Sequence, residues 1–384
     1  MNVGLRKREP ARVLAYGYDG LVLAIDVLWN DESLLSHLAE LKDQAKASDQ
    51  PMPGIVRPSG AGWQWVYNVE ATGSKGYEWM LVGREYSMKV GRWLSPKDRP
   101  SVMVTIRAET LWHLSPRVAV DRVGVLLATM GGRVASVKAS RADLCVDILF
   151  PARRWSMRII DQLVTRAAAV DPHLHRGLFS GVSIGRGTVV ARLYDKPLEI
   201  RVKKNKKVWM YGIWKLDRVP DGHVIARVEF QFRREALKEL GIFSIDDLFA
   251  KGEALWSYAT RKWLKVQDDP GVHHTQQHTL PWWKVVRAGF GGAQFATPLV
   301  RSKAIEADRE QLARQIFGSI TSLAALNAQG DELAAGATLS LSAEVEALHD
   351  LAPMIGMDDD EATTRARKKL AKFRRAGGEA TKKK

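Results

Sequence analysis

The chain has one cysteine, Cys145, in 384 residues. That excludes a disulfide within the chain and any cysteine-based zinc site, and it fits a reducing, cytoplasmic setting. Long apolar runs are also missing. The stretch Leu21–Trp29 holds nine residues and includes Asp26, whereas a helix needs about 20 to cross a bilayer, so no membrane partner is expected. The basic lead Met1–Pro10 lacks the apolar core and cleavage site of a signal peptide. Acids are in short supply: 43 Asp and Glu face 58 Lys and Arg, a formal charge of +15. An excess of that size points to nucleic acid or another anionic surface. With 46% hydrophobic and 26% charged residues, the composition is that of a globular protein, and the length suits two or three domains.

Along the chain, aromatic and β-branched runs alternate with short helical patterns. Tyr18–Trp29 reads as a strand and Asp31–Ala47 as a helix, with Leu34, Leu35, Leu38 and Leu41 at helical spacing and Ser33 as a candidate cap. Trp63–Trp93 reads as a meander of strands, Val102–Arg107 as a strand, and Glu109–Leu114 as the start of a helix. The order then recurs. Pro116–Met130 is helical, Arg141–Phe150 a strand, Ser156–Val170 an amphipathic segment, and the stretch around Pro172 and Gly177 a loop. Thr188–Tyr194, Val208–Tyr211 and Val224–Arg233 read as strands, with a basic turn, Arg201–Lys207, between the first two. Val102–Glu109 aligns with Val228–Glu235, putting Met103 opposite Glu229; the match suggests either an internal duplication whose first copy lacks the full acidic set or chance similarity between two amphipathic strands.

Helical patterns dominate after Arg234: Ala236–Leu240, Ser244–Leu248, Glu253–Val266, Ile305–Ala328 and Ser342–Leu351, before a Lys/Arg-rich tail expected to be disordered. Trp282-Trp283 could stack on bases or plug a hydrophobic seam, and the plug is favoured. The expected class is α+β, with mostly antiparallel twisted sheets, flanking helices and a helical C-terminal region. The expected divisions are a non-catalytic half at 1–115, a catalytic half at 116–240, a helical region at 241–360 and a basic tail at 361–384.

The most informative run is Arg192-Leu193-Tyr194-Asp195-Lys196. Strand alternation puts Arg192, Tyr194 and Lys196 on one face. Two cations beside a phenol favour phenolate and attract a phosphodiester. Tyr194 is therefore a candidate nucleophile, though a mixed polar surface strand carries the same pattern. By the same alternation Asp143 and Asp147 share a face, as do Arg227 and Glu229, over apolar opposite faces. If the three strands are neighbours, Asp143, Asp147 and Glu229 meet Tyr194 and Lys196 and supply hard oxygen ligands for Mg²⁺ or Mn²⁺. Three half-exposed strands with ion pairs across them remain the alternative. Arg192, Arg227, Lys203, Lys204, Lys206 and Lys207 are the candidate DNA contacts. His173-Leu174-His175 is a weaker metal candidate because Pro172 and Arg176-Gly177 make it read as loop; the histidines of 273–278 are weaker still.

The runs SRADLCVDILF (140–150), VVARLYDKPLEI (189–200) and ARVEFQFRREALKELGI (226–242) resemble the replication initiation factor family of rolling-circle plasmids and filamentous phages, which includes relaxases of some integrative conjugative elements. RPSVMVTIRAETLW (99–112) is similar to that family's N-terminal half, and the resemblance spans roughly 15–265. It implies a DNA strand transferase that nicks an origin, single-stranded or in a cruciform, and stays attached through a 5′-phosphotyrosine. It further implies Tyr194 as nucleophile with Lys196 beside it, a metal site among Asp143, Asp147 and Glu229 with Glu199 as a further candidate, and acidic ligands rather than histidines. A host helicase as later partner and a homodimer are open expectations. The rivals are a conjugative relaxase with the same chemistry and a non-catalytic DNA-binding regulator.

Overall fold

The computed structural model describes residues 11–95, 99–202, 207–268 and 278–301, and beyond these only scattered positions, of which 360–365 form a short helix. The chain divides into two compact units, 1–301 and 302–384. The helices expected at 305–328 and 342–351, the tail, most of the histidine loop and Lys203, Lys204 and Lys206 lie outside the described residues, isolated positions aside.

In the first unit, β1 (Arg12–Trp29) leads through α1 (Ser33–Ser48) to four short strands: β2 (Met52–Val56), β3 (Trp65–Val69), β4 (Trp79–Gly83) and β5 (Tyr86–Val90). β6 (Val102–Ile106), α2 (Ala108–His113) and α3 (Pro116–Thr129) complete the first half. The second half opens with β7 (Gly132–Pro151), α4 (Arg158–Asp161), β8 (Leu163–Thr165), β9 (Val170–His175), β10 (Leu178–Ile184) and β11 (Val189–Asp195). It continues through α5 (Lys196–Val202), α6 (Met210–Trp214), β12 (His223–Arg233), α7 (Arg234–Glu239), α8 (Ile245–Ala250) and α9 (Gly252–Tyr258), and ends with β13 (Leu264–Val266) and α10 (Pro281–Ala288). The fold is α+β: eleven antiparallel strands form one sheet in the order β2-β3-β4-β5-β6-β1-β7-β12-β11-β10-β9, and β8 pairs separately with β13.

The two longest strands, β1 and β7, lie side by side at the centre. Strand alternation sends Leu21, Leu23 and Ile25, Val102, Val104 and Ile106, Leu144, Val146 and Ile148, and Val228, Phe230 and Phe232 into one continuous core. Local chemistry starts the helices that cover it. Ser115 caps α3 by accepting from Val118 N at 3.2 Å, with Pro116 at the position where a missing N–H costs nothing. Ser244 and Asp247 form a reciprocal capping box on α8. Trp282 and Trp283 are buried, and the Trp283 indole donates to Thr260 O at 3.0 Å. Each buried tryptophan removes about 150–250 Å² from water, a gross gain of roughly 4–6 kcal/mol. They plug the core.

Several expectations fail. Ser33 is the first residue of α1 and not its cap, and the helix expected over Glu253–Val266 gives way to strand at Leu264–Val266. Ser156–Val170 is helical only over Arg158–Asp161, because Leu163–Thr165 finds a strand partner in Leu264–Val266. The segment around Pro172 is strand β9. Arg176 and Gly177 both take positive φ (50° and 78°) and join β9 to β10 in a two-residue hairpin turn. Val208–Tyr211 is not strand: it winds into a helical turn and α6, which packs Met210 and Trp214 with Ile200 and Ile225 in a second small core.

Candidate active site

The strand register builds the site. One row of directly opposed residues crosses five strands: His173, Gly181, Tyr194, Arg227 and Asp147. The next row on that face is Asp171, Ser183, Arg192, Glu229 and Cys145. Gln231 and Asp143 oppose each other one step further along. The face is the one turned away from the main core, so β7, β12 and β11 are neighbours and their polar sides do merge.

Tyr194 is half-buried, and its hydroxyl donates to Glu229 Oε2 at 2.8 Å. Arg192 holds the other carboxylate oxygen of Glu229 at 3.2 Å and also reaches Gln231. Lys196 does not come from the strand. Asp195 caps α5 by accepting from Leu198 N at 2.9 Å, with Pro197 in the first turn, so the helix begins at Lys196. Its buried ammonium lies 3.4 Å from the Tyr194 hydroxyl and 2.9 Å from Glu199. A cavity of about 590 Å³ opens here, lined by Asp19, Arg192, Tyr194, Lys196, Lys207 and Glu229 and flanked by His173 and His175.

The electrostatics correct one expectation. Arg192 and Lys196 do not bring the phenol toward phenolate. Burial, then the adjacent Glu229, pushes the Tyr194 pKa well above that of a free phenol. The tyrosine therefore holds its proton, and Glu229 is the group placed to receive it. Burial and the Arg227 charge press Lys196 below the usual lysine range. Burial raises Asp143 to about 6 despite its ion pair with Arg141.

The predicted residues divide into two sets. Arg227, expected at the DNA, is fully buried. It grips Asp147 through two hydrogen bonds of 2.6 and 2.7 Å, pairs with Asp19, and lies over the Trp112 ring. Asp147 also accepts from the Trp214 indole at 2.7 Å, so its oxygens are occupied. Asp143 faces Arg141, whose Nε donates at 2.8 Å. The carboxylates on the cavity are each paired as well: Glu229 with Arg192, Glu199 with Lys196, and Asp19 with Arg227 and Lys207. Among the described residues, no three acidic, histidine or cysteine side chains converge to hold a metal. The oxygens of Asp143, Asp147 and Glu229, the set expected to hold Mg²⁺ or Mn²⁺, are engaged by Arg141, by Arg227 and Trp214, and by Arg192 and Tyr194 respectively. The donors serve internal ion pairs, and the positive charge at the cavity comes from Lys196, Arg192 and Lys207.

Sequence reasoning missed Asp19. It sits where the β1–β7 register slips between Tyr18 and Gly20, which turns it toward Arg227. Its carboxyl, though buried, is held well below the usual range by Arg227, Lys196 and Lys207. The Asp19-Gly20 pair inside a strand-like run was the available signal, since glycine there marks a bulge or a close approach. A Cβ at Gly20 would lie 2.7 Å from Asp143 Oδ2. Among the described residues no helix is long and apolar enough to cross a membrane. No family model matches the chain, and no curated protein matches it.

Proposed function

We propose that the protein nicks and rejoins single-stranded origin DNA to start rolling-circle replication, with Tyr194 as nucleophile. One observation carries this: a tyrosine hydroxyl, 2.8 Å from a carboxylate that can take its proton, at the floor of a cavity with cations on two sides. A phenol is a poor nucleophile until deprotonated. Glu229 removes the proton as Tyr194 Oη forms its bond to phosphorus, and the bond from phosphorus to the 3′-oxygen breaks. The departing 3′-oxygen takes up a second proton, from a donor across the cavity or from solvent, and the products are a 5′-phosphotyrosine and a free 3′-hydroxyl. Lys196 and Arg192 offset the charge that builds on the phosphoryl oxygens. Rejoining is the same sequence reversed, with Glu229 returning the proton. The basic composition supports DNA as substrate, and the resemblance of the motifs at 140–150, 189–200 and 226–242 to replication initiators points the same way.

The test is a supercoiled plasmid carrying candidate origins, with the covalent adduct mapped by mass spectrometry. Tyr194→Phe is expected to abolish nicking and the adduct while DNA binding stays close to wild type. Nicking at the wild-type rate by that variant would remove Tyr194 from the chemistry.

A further inference from the structure

His173 lies in the same row as Tyr194, two strands away, with Gly181 between them. Neighbouring strands are about 4.8 Å apart, so the two side chains rise from the sheet roughly 9.6 Å from each other. The position between them carries no side chain. A Cβ at Gly181 would lie 2.4 Å from Leu193 O and 2.8 Å from Tyr194 Cβ, so only glycine fits beside the tyrosine. The result is a gap with a phenol on one side and an imidazole on the other, both lining one cavity.

That gap has the dimensions of an in-line displacement. An attacking oxygen about 3 Å from phosphorus, a leaving oxygen on the far side, and a donor nitrogen one hydrogen bond beyond span about 7–8 Å. We infer that His173 is the general acid of the cleavage step, donating a proton to the 3′-oxygen as it leaves. Resting on the proposed nicking reaction, the balance is complete. Oη–P forms and P–O3′ breaks, the phenol proton goes to Glu229, and the imidazolium proton goes to O3′, leaving neutral histidine. In rejoining, His173 takes that proton back as the 3′-hydroxyl attacks. Ser183 fixes the ring, with Nε2 and Oγ 2.8 Å apart. Asp171 stands opposite Ser183 in the next row and is held by Arg186 at 2.8 Å.

The experiment uses the full chain and an oligonucleotide spanning the mapped nick, made once with the natural 3′-oxygen and once with a bridging 3′-sulfur. A thiol is far more acidic than an alcohol and leaves without a proton. His173→Ala and His173→Gln are expected to slow single-turnover cleavage of the oxygen substrate by about 10²–10⁴-fold. Cleavage of the sulfur substrate should stay within about tenfold of wild type. An equal loss on both substrates, or no loss on either, overturns the assignment. Tyr194→Phe separates this from failure of the underlying reading: if that variant still cleaves the oxygen substrate, the tyrosine mechanism is at fault, whatever His173 does.

Discussion

The two halves of the sheet share a frame and differ in what they put on it. β6 pairs with β1 so that Leu21 meets Ile106, and β12 pairs with β7 so that Ala142 meets Phe232. Leu21 and Ala142 are themselves opposite each other where β1 meets β7. The halves are thus related about that point, and the alignment of Val102 with Val228 holds as a register. In that register Met103 stands for Glu229, Ser101 for Arg227, Val22 for Asp143 and Gly91 for Tyr194. Lys89 stands for Arg192 and Asp26 for Asp147, so some charge recurs.

The burial patterns part accordingly. β4 and β5 alternate buried with half-exposed residues, as an antiparallel sheet does with one wet face. In β7 the residues from Ala142 to Ile148 are buried on both faces, and nearly all of β12 is too, because α5 and α6 close over the second half. The same strand pattern makes a plain scaffold in one half and, once covered, encloses a charged cluster in the other.

This contrast yields three tests beyond the tyrosine and histidine variants. Glu229→Gln keeps the shape but removes the base, moving the second half toward the first. Nicking in the plasmid assay should fall by about 10²–10⁴-fold with DNA binding retained; a loss under tenfold would mean that Glu229 is not the proton acceptor. Arg227→Met leaves Asp147 as a buried charge without its cation and should cost roughly 3–5 kcal/mol. Ser101→Ala at the matching site loses hydrogen bonds to Val27 of 2.8 and 3.2 Å and should cost about 1–2 kcal/mol. Urea unfolding of the pair measures the difference, and equal midpoints would erase the distinction between the halves.

The last test is a pH dependence. Burial lifts the Asp143 pKa in the folded protein to about 6, above the 3.8 of a free aspartate. The folded state therefore binds the proton more tightly, and this contribution to stability, complete below pH 4, is lost as pH rises through 6. Relative to Asp143→Asn, the wild type should lose on the order of 2–3 kcal/mol across that window. Parallel unfolding curves for the two proteins from pH 4 to 7 would show that Asp143 is not desolvated.

The frame was legible because its signals are local. Alternating apolar residues at 102–106, 142–148 and 228–232 mark both the strands and their inner faces, and the pattern at Pro116–Met130 marks a helix. The adjacency of β7, β12 and β11 was inferred only by supposing that the three polar faces met. What stayed illegible depended on partners remote in the chain. Nothing near Arg227 says that Asp147, Asp19 and Trp112 will enclose it, so a buried cation read as a DNA contact. The tyrosine's charge balance differs for another reason: Glu229 is expected beside it as a metal ligand, whereas it accepts the phenol's hydrogen bond, and the burial that raises the phenol's pKa is not legible from its neighbours in the chain. Pro172, a loop signal in the sequence, sits inside strand β9, and Arg176-Gly177 makes the hairpin turn that follows it, so the strand that carries His173 is not legible locally.

The length of β1 and β7 has a mechanical side. Under the proposed reaction, a DNA end joined to Tyr194 would pull on the protein through β11, an inner strand of the sheet, with β10 on one flank and β12 on the other. Tension there passes sideways into β12 and then into the 20-residue β7, which is seamed to the 18-residue β1. Force at the proposed covalent joint would thus be spread over ladders that must give together, with the half that has Gly91 in the place of Tyr194 as the anchorage.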